Sequence, residues 1–147
     1  HHLLAKKGDF DEMLTLLQRG GSIGMLCDQD AGSRGLFVDF FGTPASTFKS
    51  IALLALEYDA LLLVGSTIRL PDDFDGHGWS RFRMQTEAII DPREITAKDP
   101  VREITQLYTS ALERSVRRAP EQYFWVHRRW KSEPRVKSKT PPQRLAG

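Results

Sequence analysis

Two carboxylates two positions apart, Asp28 and Asp30, open a stretch that reads DQDAGSRGLFVDFFGTPAST over residues 28–47. Such a pair could hold a divalent metal, orient a base or accept hydrogen bonds from a sugar, and the same triplet occurs in plain turns. Gly32 and Gly35 allow a tight passage of the chain, and a GxxG pair can cradle a phosphate. Neither GxxxxGK[ST] nor GxGxxG is present, so a nucleotide phosphate loop is unsupported. Phe37, Val38, Phe40, Phe41 and Gly42 then set an apolar wall beside the acidic patch. That suits a substrate with an acyl chain and a polar head. The alternative is a short core strand with Asp39 in its middle.

Further along, Arg69 closes an apolar run and is expected at the same sheet edge as the Asp28 loop. An arginine there can grip a carboxylate or a phosphate with two parallel bonds. Residues 123–131, YFWVHRRWK, interleave aromatics with cations. The pattern suits a membrane interface, with rings at the head-group level and cations on anionic lipid. It equally suits single-stranded nucleic acid, through stacking and phosphate contacts. Charge is uneven: residues 114–147 hold ten Lys or Arg against two Glu, while the rest of the chain is net acidic. A basic end of that kind calls for an anionic partner. The single cysteine, Cys27, excludes an internal disulfide and reads as a small buried hydrophobe rather than a nucleophile.

The elements that must position these residues follow from periodicity and punctuation. Asp9 and Glu12 resemble a capping box ahead of Phe10, Met13, Leu14 and Leu17, and Gly20-Gly21 ends that helix. Residues 22–27 read as a short buried strand leading into Asp28. Thr43 and Pro44 offer a cap and first turn for a helix over 44–58, with Phe48, Ile51, Ala52 and Ala55 inward. Residues 60–70 read as a strand covered on both faces, parallel to the first in a βαβ unit. Residues 71–78 form a polar turn region.

Residues 81–90 alternate, placing Phe82, Met84, Thr86, Ala88 and Ile90 on one face of a strand antiparallel to its neighbour. Asp99-Pro100 opens a long helix to about Arg118, with Ile104, Leu107, Tyr108, Ala111 and Leu112 inward, and Pro120 stops it. The expected fold is one α/β domain over residues 1–134, a mixed sheet with flanking helices. A basic tail at 135–147 has the composition of a disordered segment. No apolar run reaches the roughly 20 residues of a membrane span. The chain starts at His1-His2 without methionine and no signal peptide is visible, which reads as a piece lacking its N-terminal part.

Taken with the strand ending at Arg69 and PEQYFWVHRRWKSEP over 120–134, the stretch at 28–47 resembles the late acyltransferases of lipid A biosynthesis, the lauroyl/myristoyl transferase family. The resemblance covers about residues 8–134 in the same order. It implies a glycerolipid-acyltransferase-like fold, incomplete at the N-terminus. It further implies transfer of a fatty acyl chain from an acyl carrier protein thioester to a hydroxyl of a lipid A precursor. The implied location is the cytoplasmic face of a bacterial inner membrane, with an anionic membrane surface as partner, no cofactor and no nucleic acid.

The family's catalytic signature is His, four residues, then Asp or Glu, the carboxylate raising the basicity of the imidazole. Five places after His1, His2, His77 and His127 stand Lys6, Lys7, Phe82 and Ser132, so these 147 residues do not carry it. The piece alone is expected to be inactive, and no catalytic residue is assigned. By resemblance, Asp28 and Asp30 organise the site or a cationic partner, Phe40 and Phe41 wall an acyl channel, and Arg69, Arg128 and Arg129 meet phosphates. His127 takes an interfacial role. Two other classes remain: a non-catalytic module binding anionic lipid or nucleic acid, and a metal-dependent glycosyltransferase holding its metal on Asp28 and Asp30.

Overall fold

In the computed structural model residues 8–72, 76 and 80–134 are described. The first helix, α1 (Phe10–Gln18), carries Asp11 and Glu12 in its first turn, where the helix dipole favours negative charge. No side-chain bond caps it at Asp9, so the expected capping box does not form. Its other end closes as the glycine pair predicts. Gly20, at φ +74°, donates its N–H to the Leu17 carbonyl, and Gly21 donates to Leu16, both at 2.9 Å. That is the double bond pattern of a Schellman motif.

Residues 22–27 form no strand, which corrects the expected parallel βαβ arrangement. A strand exists only by pairing, and no strand among the described residues takes this segment as a neighbour. Its Met25 and Leu26 are exposed, while Cys27 packs against the core.

The apolar stretch at 36–47 is a hairpin of β1 (Leu36–Phe40) and β2 (Thr43–Thr47), with Leu36 opposite Thr47 and Phe40 opposite Thr43. The core-strand alternative thus holds: Val38 and Phe40 are buried and Asp39 between them is exposed. Phe41 (φ 57°) and Gly42 (φ 77°) make the turn, both in the left-handed region that a two-residue hairpin of this kind requires. Phenylalanine is costly there. It is held by its N–H, which donates to Glu113 Oε2 at 2.7 Å, and by the Arg117 guanidinium 4.7 Å over its ring.

Pro44 sits in β2, not at a helix start, because proline fits an edge strand as well as a first helical turn. The helix that follows, α2 (Lys49–Glu57), begins five residues later than expected and still turns Ile51, Ala52 and Ala55 inward. It ends over Asp59 (φ 47°), with the Ala60 N–H on the Ala55 carbonyl at 3.0 Å.

The second sheet pairs β3 (Leu62–Arg69) with β4 (Phe82–Ile90), antiparallel as expected. A bulge interrupts it: Val64 faces Ala88 and Gly65 faces Thr86, leaving Glu87 as the extra residue. The inserted residue changes the phase of the alternation. Ala88 and Ile90 point to the core, but Phe82, Met84 and Thr86 are exposed, and Gln85 and Glu87 turn partly inward instead. β3 is also covered on one face only, with Leu63 exposed opposite Ile89.

The spine is α3 (Pro100–Arg118). Asp99 caps it, accepting the Arg102 N–H at 3.0 Å, Pro100 fills the first turn, and Arg117 and Arg118 sit in the last turn where the dipole favours cations. Ile104 and Tyr108 join Ile51, Ala52 and Ile90 in one core cluster. One helical stretch later, Val116 joins Phe40 and Ala45 in a second, flanked by Phe41, Leu112, Tyr123 and Trp130. Leu107, expected inward, is exposed. Among the described residues the fold is a small mixed α/β arrangement of two antiparallel two-stranded sheets and three α-helices. The tail at 135–147, the histidines at 1, 2 and 77, and most of the 71–78 turn lie outside the described residues.

Candidate functional site

The loop at 28–35 and the segment at 120–134 fold onto each other. His127 accepts the Asp30 main-chain N–H on Nε2 at 2.9 Å. Accepting there places the imidazole proton on Nδ1 in the neutral ring. The Asp30 carboxylate accepts the Gly32 N–H and the Ser132 hydroxyl, each at 2.9 Å, and the Ser132 N–H at 3.3 Å. Tyr123 donates its hydroxyl to the Asp28 carbonyl at 3.0 Å. Asp30 therefore builds a turn and a chain crossing. Among the described residues no group of three His, Cys, Asp or Glu could hold a metal ion.

Gly35 explains why the loop needs glycine. A Cβ there would lie 2.1 Å from the Ser46 hydroxyl and 2.8 Å from the Ala31 Cβ. The loop lies flat on β2, with the Ala31 N–H on the Ser46 carbonyl at 3.2 Å. Close approach to a strand accounts for this glycine without a phosphate.

Arg129 is the least expected residue of the site. It is 1% exposed, in the interior rather than at a phosphate-facing edge. Nη1 donates to the Ser46 carbonyl at 2.6 Å and Nη2 to the Thr47 hydroxyl at 2.7 Å, and the guanidinium stands 5.3 Å from the Phe40 ring centroid. Among the described residues Nε has no partner and no carboxylate lies within ion-pair distance. Burial lowers its pKa, opposed by Tyr123, Tyr108, Asp30 and Asp28. Arginine keeps its charge under such conditions. Burial also pushes the Tyr123 hydroxyl up to about 12 and raises the Cys27 thiol, the latter helped by Asp28. Both stay protonated near neutrality, which leaves Cys27 a poor nucleophile.

Phe40 is the centre of this packing, fully buried, with Phe41, Tyr123 and Trp130 centroids at 4.7, 6.2 and 5.5 Å. Arg69 is not brought to the Asp28 loop by any hydrogen bond or ion pair: it pairs with Asp72 at 2.8 Å. Arg128 is exposed.

Residues that sequence reasoning passed over do much of the joining. Gln122 accepts the Arg69 N–H at 2.8 Å and donates to the Arg69 carbonyl at 3.0 Å. Gln106 makes the same pair of bonds to Asp39, at 2.8 and 3.0 Å. Each amide stands in for a strand neighbour at one edge position. No periodic signal marks either glutamine.

An apolar hollow lies away from this interlock. An apolar groove of about 610 Å³ runs between the 20–27 segment, α2 and the first half of β3. Ile23, Met25, Ile51, Leu54, Leu62 and Val64 supply apolar wall, and Cys27 and Tyr108 also line it. Phe40 and Phe41 do not line it. A second hollow, of about 390 Å³, is ringed by Trp125, His127, Arg128, Arg129, Trp130 and Lys131.

Comparison with known proteins decides what this arrangement belongs to. Residues 1–132 match the family model of the bacterial lipid A biosynthesis acyltransferases. The chain belongs to that family. It is 30% identical over 130 residues to a lipid A biosynthesis lauroyltransferase of Escherichia coli K12, covering 86% of this chain and 39% of that one. It is also 30% identical over 121 residues to the palmitoleoyltransferase of the same organism and to a Shigella flexneri lipid A biosynthesis acyltransferase, each covering 80% of this chain and 36% of the relative. The chain thus spans under two fifths of the curated relatives it matches. Within the family frame, two of the three stretches that carried the resemblance, 28–47 and 120–134, interlock through Asp30, His127 and Arg129.

Proposed function

We propose that this chain forms part of an acyltransferase that moves a fatty acyl chain from an acyl carrier protein thioester to a hydroxyl of a lipid A precursor. The match to the family over residues 1–132 carries this reading. The work is placed at the cytoplasmic face of a bacterial inner membrane, within a glycerolipid-acyltransferase-like fold. Among the described residues no helix is long and apolar enough to cross a membrane.

The reaction joins the acceptor oxygen to the thioester carbonyl carbon, breaks the carbon–sulfur bond and passes the hydroxyl proton, through a base, to the departing thiolate. His127 does not supply that base: its Nε2 is committed to the Asp30 N–H, and no carboxylate stands at the signature spacing. What these residues contribute is a scaffold and binding surface. The 610 Å³ groove gives the acyl chain an apolar bed, in place of the Phe40–Phe41 pair, whose rings belong to the core. Arg128 and Lys131, exposed at the rim of the second hollow, are placed to meet phosphates.

The glycosyltransferase alternative loses its support, since the Asp30 carboxylate is taken up by Gly32 and Ser132. Two assays test the proposal on residues 1–147. The acyl carrier thioester should bind saturably, and its failure to bind would overturn the reading. With a lipid A precursor added, no transfer above background is expected. Clear turnover would overturn the claim that the base lies outside these residues.

A further inference from the structure

The segment at 123–131 has two faces, and the structure separates them. Tyr123, His127, Arg129 and Trp130 turn inward onto Asp28, Asp30, β2 and Phe40. Phe124, Trp125 and Val126 turn outward, at 66%, 48% and 82% exposure. Three consecutive large apolar residues that the described residues leave uncovered are not explained by the fold they sit on.

This outward run is also pre-shaped. Trp125 donates its N–H to the Tyr123 carbonyl at 2.8 Å, and His127 to the Phe124 carbonyl at 3.1 Å, so the chain doubles back on both sides of Trp125. The indole Nε1 donates to the Pro120 carbonyl at 2.6 Å, and the ring stands edge-on to Tyr123 at 4.8 Å. Gln122, two residues upstream of Phe124, is tied to both main-chain groups of Arg69. A wedge held in place this way loses little conformational entropy when it docks.

Charge says what it docks on. Arg128 and Lys131, just beyond the wedge, are exposed, and neither is ion-paired among the described residues. The other exposed arginines near the end of α3 are occupied: Arg117 holds Glu113 and Arg118 holds Glu87. We infer that Phe124, Trp125 and Val126 insert into the head-group region of an anionic lipid bilayer, with Arg128 and Lys131 on its phosphates. Rings of this kind seat at the boundary of head groups and acyl chains, and free cations beside them add attraction to anionic lipid. Single-stranded nucleic acid fits less well. Val126, the most exposed of the three, has no ring face on which a base can stack. The inference rests on the membrane location in the proposed function and gives it a footprint on the molecule.

Vesicle sedimentation of the 147-residue chain tests it, using phosphatidylglycerol-rich and pure phosphatidylcholine vesicles, with labelled single-stranded DNA as a parallel arm. The chain should sediment with the anionic vesicles and shift its tryptophan emission to the blue. The double substitution Phe124→Ser/Val126→Ser should lower that binding by about tenfold or more. Arg128→Gln/Lys131→Gln should lower it by a similar factor and weaken its salt dependence. Both variants should melt with the parent chain, because the altered side chains are exposed. Absence of vesicle binding, equal binding by the Ser variant, or preference for DNA would overturn the inference. Acyl carrier binding is read separately, so either reading can fail without the other.

Discussion

His127 and Asp30, 97 positions apart in the chain, are joined by a single 2.9 Å bond from the Asp30 main-chain N–H to the imidazole Nε2. A side chain with the look of a catalytic base serves here as a hydrogen-bond acceptor for a loop. Around it, Ser132 closes on the Asp30 carboxylate and Arg129 on β2. The acidic stretch and the aromatic-basic stretch are two halves of one interlock.

Replacing that acceptor tests the interlock. His127→Phe fills the space but leaves the half-buried Asp30 N–H without a partner, at a cost of about 1–3 kcal/mol. His127→Gln carries an oxygen that can reach the same N–H and should recover most of the loss. Urea denaturation gives the ordering, and amide exchange at Asp30 should quicken in the Phe variant. Equal stability for the two variants would show that the bond contributes little.

Arg129 should matter more. Arg129→Ala removes two charge-assisted bonds and opens a cavity beneath Phe40, with an expected loss of about 3 kcal/mol or more. Arg129→Lys keeps the charge but cannot present two donors in a fork, so it should fall between alanine and arginine. Denaturation midpoints in urea check the order. An alanine variant as stable as the parent would contradict the interior role.

Acid should weaken the bulge at Glu87. Burial alone would raise its carboxyl, but hydrogen bonds from Ser66, Arg118 and Gln85, with the Arg118 charge, outweigh it and leave the group below its ordinary 4.5. A carboxyl depressed in the folded state stabilises above its unfolded pKa, and that gain is lost as pH falls through the folded value. Glu87→Gln should cost about 2 kcal/mol at neutral pH. The gap should narrow as pH drops below 4.5. Thermal melts across that range read it, and a pH-independent gap would refute the ionic account.

How much of this was legible in the sequence depends on how local the cause is. Asp99-Pro100 announced α3 and Gly20-Gly21 ended α1, because caps and left-handed glycines act within a turn. Thr43-Pro44 misled, since the same pair suits a helix start and an edge strand, and only the ladder to Phe40 and Asp39 decides between them. The alternation at 81–90 gave the strand but not its inward face beyond Glu87, because a bulge is a property of two strands. The apolar segment at 22–27 has strand composition but no pairing partner among the described residues.

The candidate site divides in the same way. Both stretches stood out by composition, and the family could be read from them. That Arg129 goes in and Arg128 stays out is not written in a run of alternating cations. It follows from the Ser46 carbonyl and the Thr47 hydroxyl that await one of them. Phe40 and Phe41, the most conspicuous aromatics, pack in the second core cluster. The groove is assembled from aliphatic residues of three separate segments, which no contiguous pattern reveals.

Occupancy of that groove is the most direct test of the account. A dansyl-labelled medium-chain fatty acid, titrated into the chain and into Leu54→Trp, reports it by fluorescence. Leu54 lines the groove but belongs to neither core cluster, so the larger indole should fill the space without unfolding the protein. Saturable binding to the parent chain, reduced by about tenfold or more in Leu54→Trp, is the expected result. Absence of saturable binding, or equal binding by a folded Leu54→Trp, would contradict an acyl-chain site in this groove.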